Sequence, residues 1–315
     1  MLSRVERLAF FGTPDFALPT LQALVSAGRV PLVVVTQPDR PAGRGQRIRE
    51  GTVARWAREQ GMEVWQPTRV RDVDVVEKAR ALELDLIVVA AFGQIFPREL
   101  LQAPQLGCVN VHASLLPRHR GAAPVQAALL SGDEETGVSI MRMEEGLDTG
   151  PVLLQGRTRI EGHETAGELL PRLAHLGAAL MLEALAGLEA GTLTAKPQPS
   201  EGATYAPRLT KEQGRVDWAQ PATAVFRQLR AFTPWPGASA DFADEPIKVL
   251  AGHPLAESSA SPAGSVLGMR NGALAVACGE GTVFGVERLQ RPGRRALAPD
   301  ELLRGERLGG DARFS

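Results

Sequence analysis

The 315-residue sequence predicts an α/β domain on a mostly parallel sheet followed by a small all-β domain, and three observations carry that expectation. Short apolar runs rich in Val and Ile alternate with helical patterns from residue 8 to about 93. A long helical pattern then ends in a stretch rich in Pro, Thr, Ser and Gly that holds no period. Beyond it, short apolar segments recur between closely spaced Gly and Pro.

The first strand is LAFFG, and the stretch holding Phe16, Leu18, Leu21 and Leu24 makes the helix after it. PLVVVTQ is the next strand, followed by a polar loop, a helix around Val53, Trp56 and Ala57, and the strand DLIVVAAFG. Runs without a polar alternate face suit strands covered on both sides, which crossover helices of a parallel sheet provide. GCVNVH at 107–112 and GVSIMRM at 137–143 are two more strands, with a helical segment near 124–131 between them. From Glu164 to Leu188, Leu169, Leu173, Leu176 and Leu180 form one stripe with Leu170, Gly177, Met181 and Leu185 beside it, the periodicity of a helix with a broad buried face. The domains are expected at 1–190 and 209–315, with 191–208 as a linker. One helix near 220–230 opens the second domain, and IKVL, GSVLGM, ALAVACG and TVFGVERLQ read as the short strands of a small barrel or sandwich.

An apolar fraction of 44% with 23% charged residues suits a globular chain and not a mainly disordered one. The net charge of -1 neither favours nor excludes a nucleic-acid partner, because the placement of charge decides that. Cys108 and Cys278 stand far apart and near no other ligand cluster, so neither a disulfide framework nor a metal site is expected. Charged Arg4, Glu6 and Arg7 precede a run too short for a signal core or a membrane span, and a cytoplasmic protein is expected. The sequence has no GxGxxG and no GxxxxGK[ST], which leaves a dinucleotide or a nucleoside triphosphate little support.

Three places carry candidate chemistry. In CVNVHASLLP, strand alternation sends Asn110 and His112 one way and Val109 and Val111 the other. Two polar side chains facing a helix layer are costly unless they stand at the carboxyl end of the strand, where α/β sheets place ligands. Acyl or formyl transfer would use such a pair: an amide N–H can stabilise a developing oxyanion, and an imidazole can also exchange a proton near neutral pH. The pair equally suits side chains that satisfy backbone groups where strand meets loop. Asp148, in the Gly-flanked EEGLDTG, is the third candidate, able to orient the histidine or simply to cap a turn. A single DTG cannot make an aspartic-protease dyad within one chain. Ser114 sits in no GxSxG elbow, so direct transfer is preferred to an acyl-enzyme. The third place is the loop QPDRPAGRGQRIREG, where four arginines (Arg40, Arg44, Arg47 and Arg49) against Asp39 and Glu50 leave a local charge of 4 - 2 = +2, suited to phosphate contact or to a solvated loop.

These segments closely resemble the methionyl-tRNA formyltransferase family, a branch of the folate-dependent formyltransferases, along nearly the whole chain. The landmarks are FFGTPDFA at 10–17, QPDRPAGRG at 37–45, AAFGQIFP at 90–97, NVHASLLPRHRGAAPVQ at 110–126, GLDTGPVL at 146–153, ATYAPRLTKEQGRVDW at 203–218 and AFTPWPGA at 231–238. The resemblance implies a Rossmann-like catalytic domain and an OB-like barrel. It implies Asn110, His112 and Asp148 as catalytic residues and 10-formyltetrahydrofolate as the formyl donor, with no metal. The donor would be bordered by Phe92, Gly93, Ser114, Leu115, Leu116, Pro117, Gly121 and Asp148. It further implies initiator methionyl-tRNA as the acceptor, met by the arginine loop; in the second domain Lys248, Arg288, Arg291, Arg294 and Arg295 suit either contact with the tRNA backbone or a solvated hairpin face. A monomer with no membrane and no obligate protein partner is expected. The rival readings are a formyltransferase acting on an amino-sugar nucleotide and a non-catalytic RNA-binding protein.

Overall fold

The computed structural model describes residues 4–42, 47–242, 245–304 and 313–315. The chain runs β1 (Leu8–Gly12), α1 (Leu18–Ser26), β2 (Val33–Val35), β3 (Arg40–Ala42), β4 (Arg47–Arg49), α2 (Thr52–Glu59), β5 (Val64–Trp65), α3 (Val73–Ala81), β6 (Leu86–Ala90), α4 (Arg98–Leu101), β7 (Cys108–His112), β8 (Arg120–Gly121), α5 (Pro124–Ser131), β9 (Glu135–Arg142), β10 (Val152–Arg159), α6 (Ala166–Ala190) and β11 (Tyr205–Ala206). It continues through α7 (Ala222–Phe232), β12 (Ala238–Phe242), β13 (Glu245–Ser258), β14 (Val266–Arg270), β15 (Ala273–Ala277), β16 (Thr282–Gln290), β17 (Ala296–Leu297) and α8 (Pro299–Arg304).

Seven strands form the first sheet in the order β10-β9-β7-β6-β1-β2-β5. The pairings from β7 through to β5 are parallel, and β9 and β10 add an antiparallel edge. The Rossmann-like, mostly parallel sheet predicted from the apolar runs is present. Ala9, Phe11, Val33, Val35, Ile87 and Val89 join Phe92, Phe96 and Leu100 in a core on one face, as two-sided burial requires. On the other face α6 approaches β7 so closely that a Cβ on Gly177 would lie 2.6 Å from Val111 Cγ1. By length and composition α6 is apolar enough to cross a membrane, but Leu169, Leu173 and Met181 are fully buried inside the protein.

The second sheet is antiparallel, in the order β12-β13-β16-β15-β14, with β17 also on β16. The last residues join its two edges. Phe314 N–H donates to Gly264 O at 2.8 Å beside β14, while Ser315 and Asp241 on β12 exchange backbone hydrogen bonds of 2.8 and 3.0 Å. The sheet thereby closes into the expected OB-like barrel, and Phe314 packs against Phe242 and Trp218 at ring distances of 4.7 and 5.2 Å. Helix α7 covers this core with Ala222, Val225 and Leu229, the spacing of an amphipathic helix.

Two compact units divide the chain at more than one point: Met1–Pro124, Glu135–Ile160 and Leu169–Pro207 in one, and Val125–Glu134, Glu161–Glu168 and Arg208–Ser315 in the other. Residues 161–168 group with the barrel because Arg230 donates to Glu161 O and Glu164 O, both at 2.8 Å. Residues 191–207 group with the first unit. Lys196 bridges Val152, and β11 pairs with β8.

Candidate active site

Parallel pairing brings the ends of β1, β6 and β7 together, with Gly12 across from Ala90 and Ala90 across from Val111. Asn110 is set between Val89 and Met141, and His112 lies across from Ser139, so both stand at the carboxyl end of a central strand. They are roughly 7 Å apart along the strand. Among the described residues the half-buried Asn110 amide has no hydrogen-bond partner, which leaves its N–H groups to meet a ligand.

His112 is 5% exposed, and its Nε2 lies 3.0 Å from the backbone oxygen of His119. A carbonyl can only accept, so Nε2 carries the hydrogen and Nδ1 is the nitrogen left to exchange a proton. Nδ1 faces Asp148 Oδ2 at 3.6 Å. That is longer than a hydrogen bond, as catalytic contacts often are before substrate closes them. Asp148 lies in a turn with backbone φ +52°, and its carboxylate is held from outside that turn, where Gly121 N–H donates to Oδ2 at 2.8 Å.

The SLLP segment is shaped by Ser139, which donates to Ser114 O at 2.6 Å, and by Leu116 N–H, which donates to Ser139 Oγ at 3.0 Å. Gln155 Nε2 donates to Leu116 O at 2.9 Å and to Ser139 Oγ at 2.8 Å. Three of the residues expected to border the donor are buried. Ser114 is fully buried and its hydroxyl donates to Arg118 O, Leu116 is buried, and Phe92 belongs to an aromatic core with Phe11 and Phe96. Gly93 is exposed, and Leu115, Pro117, Gly121 and Asp148 are half-exposed. Ser139 and Gln155 escaped sequence reasoning because they lie inside strands and belong to no motif.

In the arginine segment, Arg40–Ala42 and Arg47–Arg49 pair as antiparallel strands, with Arg40 across from Arg49 and Ala42 across from Arg47; Arg44 lies outside the described residues. Its base is fixed where Gly51 N–H and Gln66 Nε2 donate to Asp39 Oδ1 at 3.2 and 2.9 Å. In the barrel unit Lys248, Arg288 and Arg294 are exposed, and among the described residues they have no acidic partner. Arg291 pairs with Glu245 and Arg295 with Glu301, so part of the expected basic cluster is neutralised.

Residues 6–185 match the family profile described as Formyl transferase, and residues 208–307 match Formyl transferase, C-terminal domain. The methionyl-tRNA formyltransferase of Halorhodospira halophila is 48% identical over 302 residues, covering 96% of this chain and 97% of the relative. The protein of the same name from Gluconobacter oxydans is also 48% identical over 302 residues, covering 95% of this chain and 97% of the relative. Among solved structures, the N-formyltransferase from Helicobacter canadensis in complex with folinic acid and dTDP-3-aminofucose aligns with TM-score 0.67 at 16% identity, over 89% of this chain and 98% of that one. HypX from Aquifex aeolicus in complex with tetrahydrofolic acid aligns with TM-score 0.60 at 18% identity, over 94% of this chain and 46% of that one. At such identities these two likenesses speak for the fold alone.

Proposed function

The chain belongs to the formyl transferase family, and from that premise we propose that it transfers a formyl group from 10-formyltetrahydrofolate to the α-amino group of methionyl initiator tRNA in the cytoplasm, as a monomer, supporting translation initiation. The observation that carries the reading is the unpartnered Asn110 amide beside a buried His112 that faces Asp148. The acceptor is supported by relatives of that name that match nearly end to end.

When the methionyl amine attacks the formyl carbon, negative charge gathers on the carbonyl oxygen and the nitrogen must lose a proton. Asn110 supplies an N–H to the oxygen and takes no part in proton transfer. His112 works through Nδ1, because Nε2 is committed to His119 O. Asp148 offsets the charge on the ring when Nδ1 is protonated. Collapse breaks the bond to the folate nitrogen, which leaves with a proton. The exposed backbone near Gly93 and the 115–121 segment are assigned to the folate. Arg40, Arg44, Arg47, Arg49, Lys248, Arg288 and Arg294 are assigned to tRNA phosphates, with Arg291 and Arg295 as weaker contributors.

The test is a substrate panel in which the formyl donor is offered with charged initiator tRNA, charged elongator tRNA and an amino-sugar nucleotide. Preference for initiator tRNA is expected. Preference for the sugar, or binding of tRNA without formylation, would overturn the proposal.

A further inference from the structure

Gln198 lies in the stretch that reads as a connector, in no motif, yet its side chain reaches the site. Its Nε2 donates to Asp148 O at 2.8 Å and to Gly150 O at 2.7 Å, while its Oε1 accepts from Arg120 Nε at 3.0 Å and from Arg120 Nη2 at 2.8 Å. A guanidinium only donates and carbonyls only accept, so one orientation of the amide satisfies all four bonds. Arg120 is 8% exposed and acts as the clamp that fixes this orientation. The target is a residue at φ +52°, a left-handed conformation that a non-glycine residue keeps when its surroundings hold it there. Gly121 N–H holds the carboxylate of Asp148, and Gln198 holds the backbone that aims it.

We propose that Gln198 is a positioning residue for formyl transfer, setting the orientation of Asp148 toward His112 with Arg120 fixing the amide that does so. The inference rests on the reading of Asp148 as the partner of His112. It gives the connector a part in the reaction, without contact with substrate.

The test compares Gln198→Ala, Gln198→Glu, Asp148→Ala and the Gln198→Ala/Asp148→Ala double variant in the full chain. Misaiming a catalytic group costs on the order of 10–100-fold, so Gln198→Ala should lower kcat by about that factor with KM for both substrates within about twofold. Gln198→Glu should be equally impaired although it keeps a partner for Arg120, because a carboxylate has no N–H for Asp148 O; it also keeps the test open if alanine unfolds the segment. In the Asp148→Ala background, loss of Gln198 should cost less than about twofold more. Wild-type turnover in Asp148→Ala would refute the underlying reading of the site. A crippled Asp148→Ala beside normal Gln198 variants would overturn this inference alone, as would losses that multiply in the double variant.

Discussion

The His112–Asp148 site and the C-terminal arginines are both polar surfaces, but they are built in opposite ways. Around Asp148 the groups are tied to fixed partners: Gly121 N–H on its carboxylate, Gln198 on its carbonyl, and His119 O on the ring it faces. Arg288 and Arg294 stand exposed, and Arg291 and Arg295 spend their charge on Glu245 and Glu301. Proton transfer needs atoms placed within tenths of an ångström, whereas attraction to a phosphate backbone needs only charge in the right region. Substitutions in the first surface should therefore change turnover, and substitutions in the second should change affinity and its salt dependence.

The largest effect is expected from His112→Ala, which should lower single-turnover formylation by about 10²–10⁴ while the Kd for charged initiator tRNA stays within about twofold. Asn110→Ala should cost about 10²–10³ in the same assay through the lost oxyanion donor. If either variant instead weakened tRNA binding with turnover intact, the division between the two surfaces would collapse. A smaller effect, about tenfold in kcat, is expected from Thr204→Val. Thr204 Oγ1 accepts from His119 N–H at 2.8 Å and so places the carbonyl that fixes His112; Thr204→Ser should restore turnover.

In the barrel unit, joint replacement of Arg288 and Arg294 by Ala should leave kcat alone, raise the tRNA Kd severalfold and lower the salt slope of binding by about one per arginine. Arg291→Ala should do less, and Glu245→Ala should slightly tighten binding by freeing Arg291, both read by filter binding across a salt series. The smallest signal is expected from the cysteines. Burial pushes the Cys108 thiol up to about 12 and Cys278 up to about 11, so the thiolate rises only as pH climbs toward those values. Both thiols stay protonated near neutral pH, and alkylation of native protein should be negligible at both positions. With one cysteine in each unit, labelling during graded denaturation shows which region opens first.

Much of this arrangement was legible in the sequence, for a local reason. The Val-rich runs of β2 and β6 announce two-sided burial by themselves, and the alternation in CVNVH puts Asn110 and His112 on one side without reference to any other segment. What stayed hidden depends on distant partners. Gln198 and Thr204 sit in a Pro- and Ser-rich stretch with no period, and their roles come from hydrogen bonds across 50 and 85 residues. Ser114 and Phe92 lie in recognisable motifs, but their burial depends on the packing of the whole domain and could not be read from those motifs. The arginine segment was legible as charge but not as structure, because Gly and Arg composition does not reveal the pairing of Arg40–Ala42 with Arg47–Arg49.

The hydrogen bonds that tie 196–206 back to the site also have a consequence in time. Contacts between His119 and Thr204 span 85 residues, and those between Arg120 and Gln198 span 78, whereas a helix turn closes over four. Non-local contacts are slow to form because a long loop must close before they give any return. During refolding, helical signal and sheet burial should therefore recover first. Formylation should lag behind them until the connector docks, so the chain passes through a stage in which its architecture is complete and its chemistry is not.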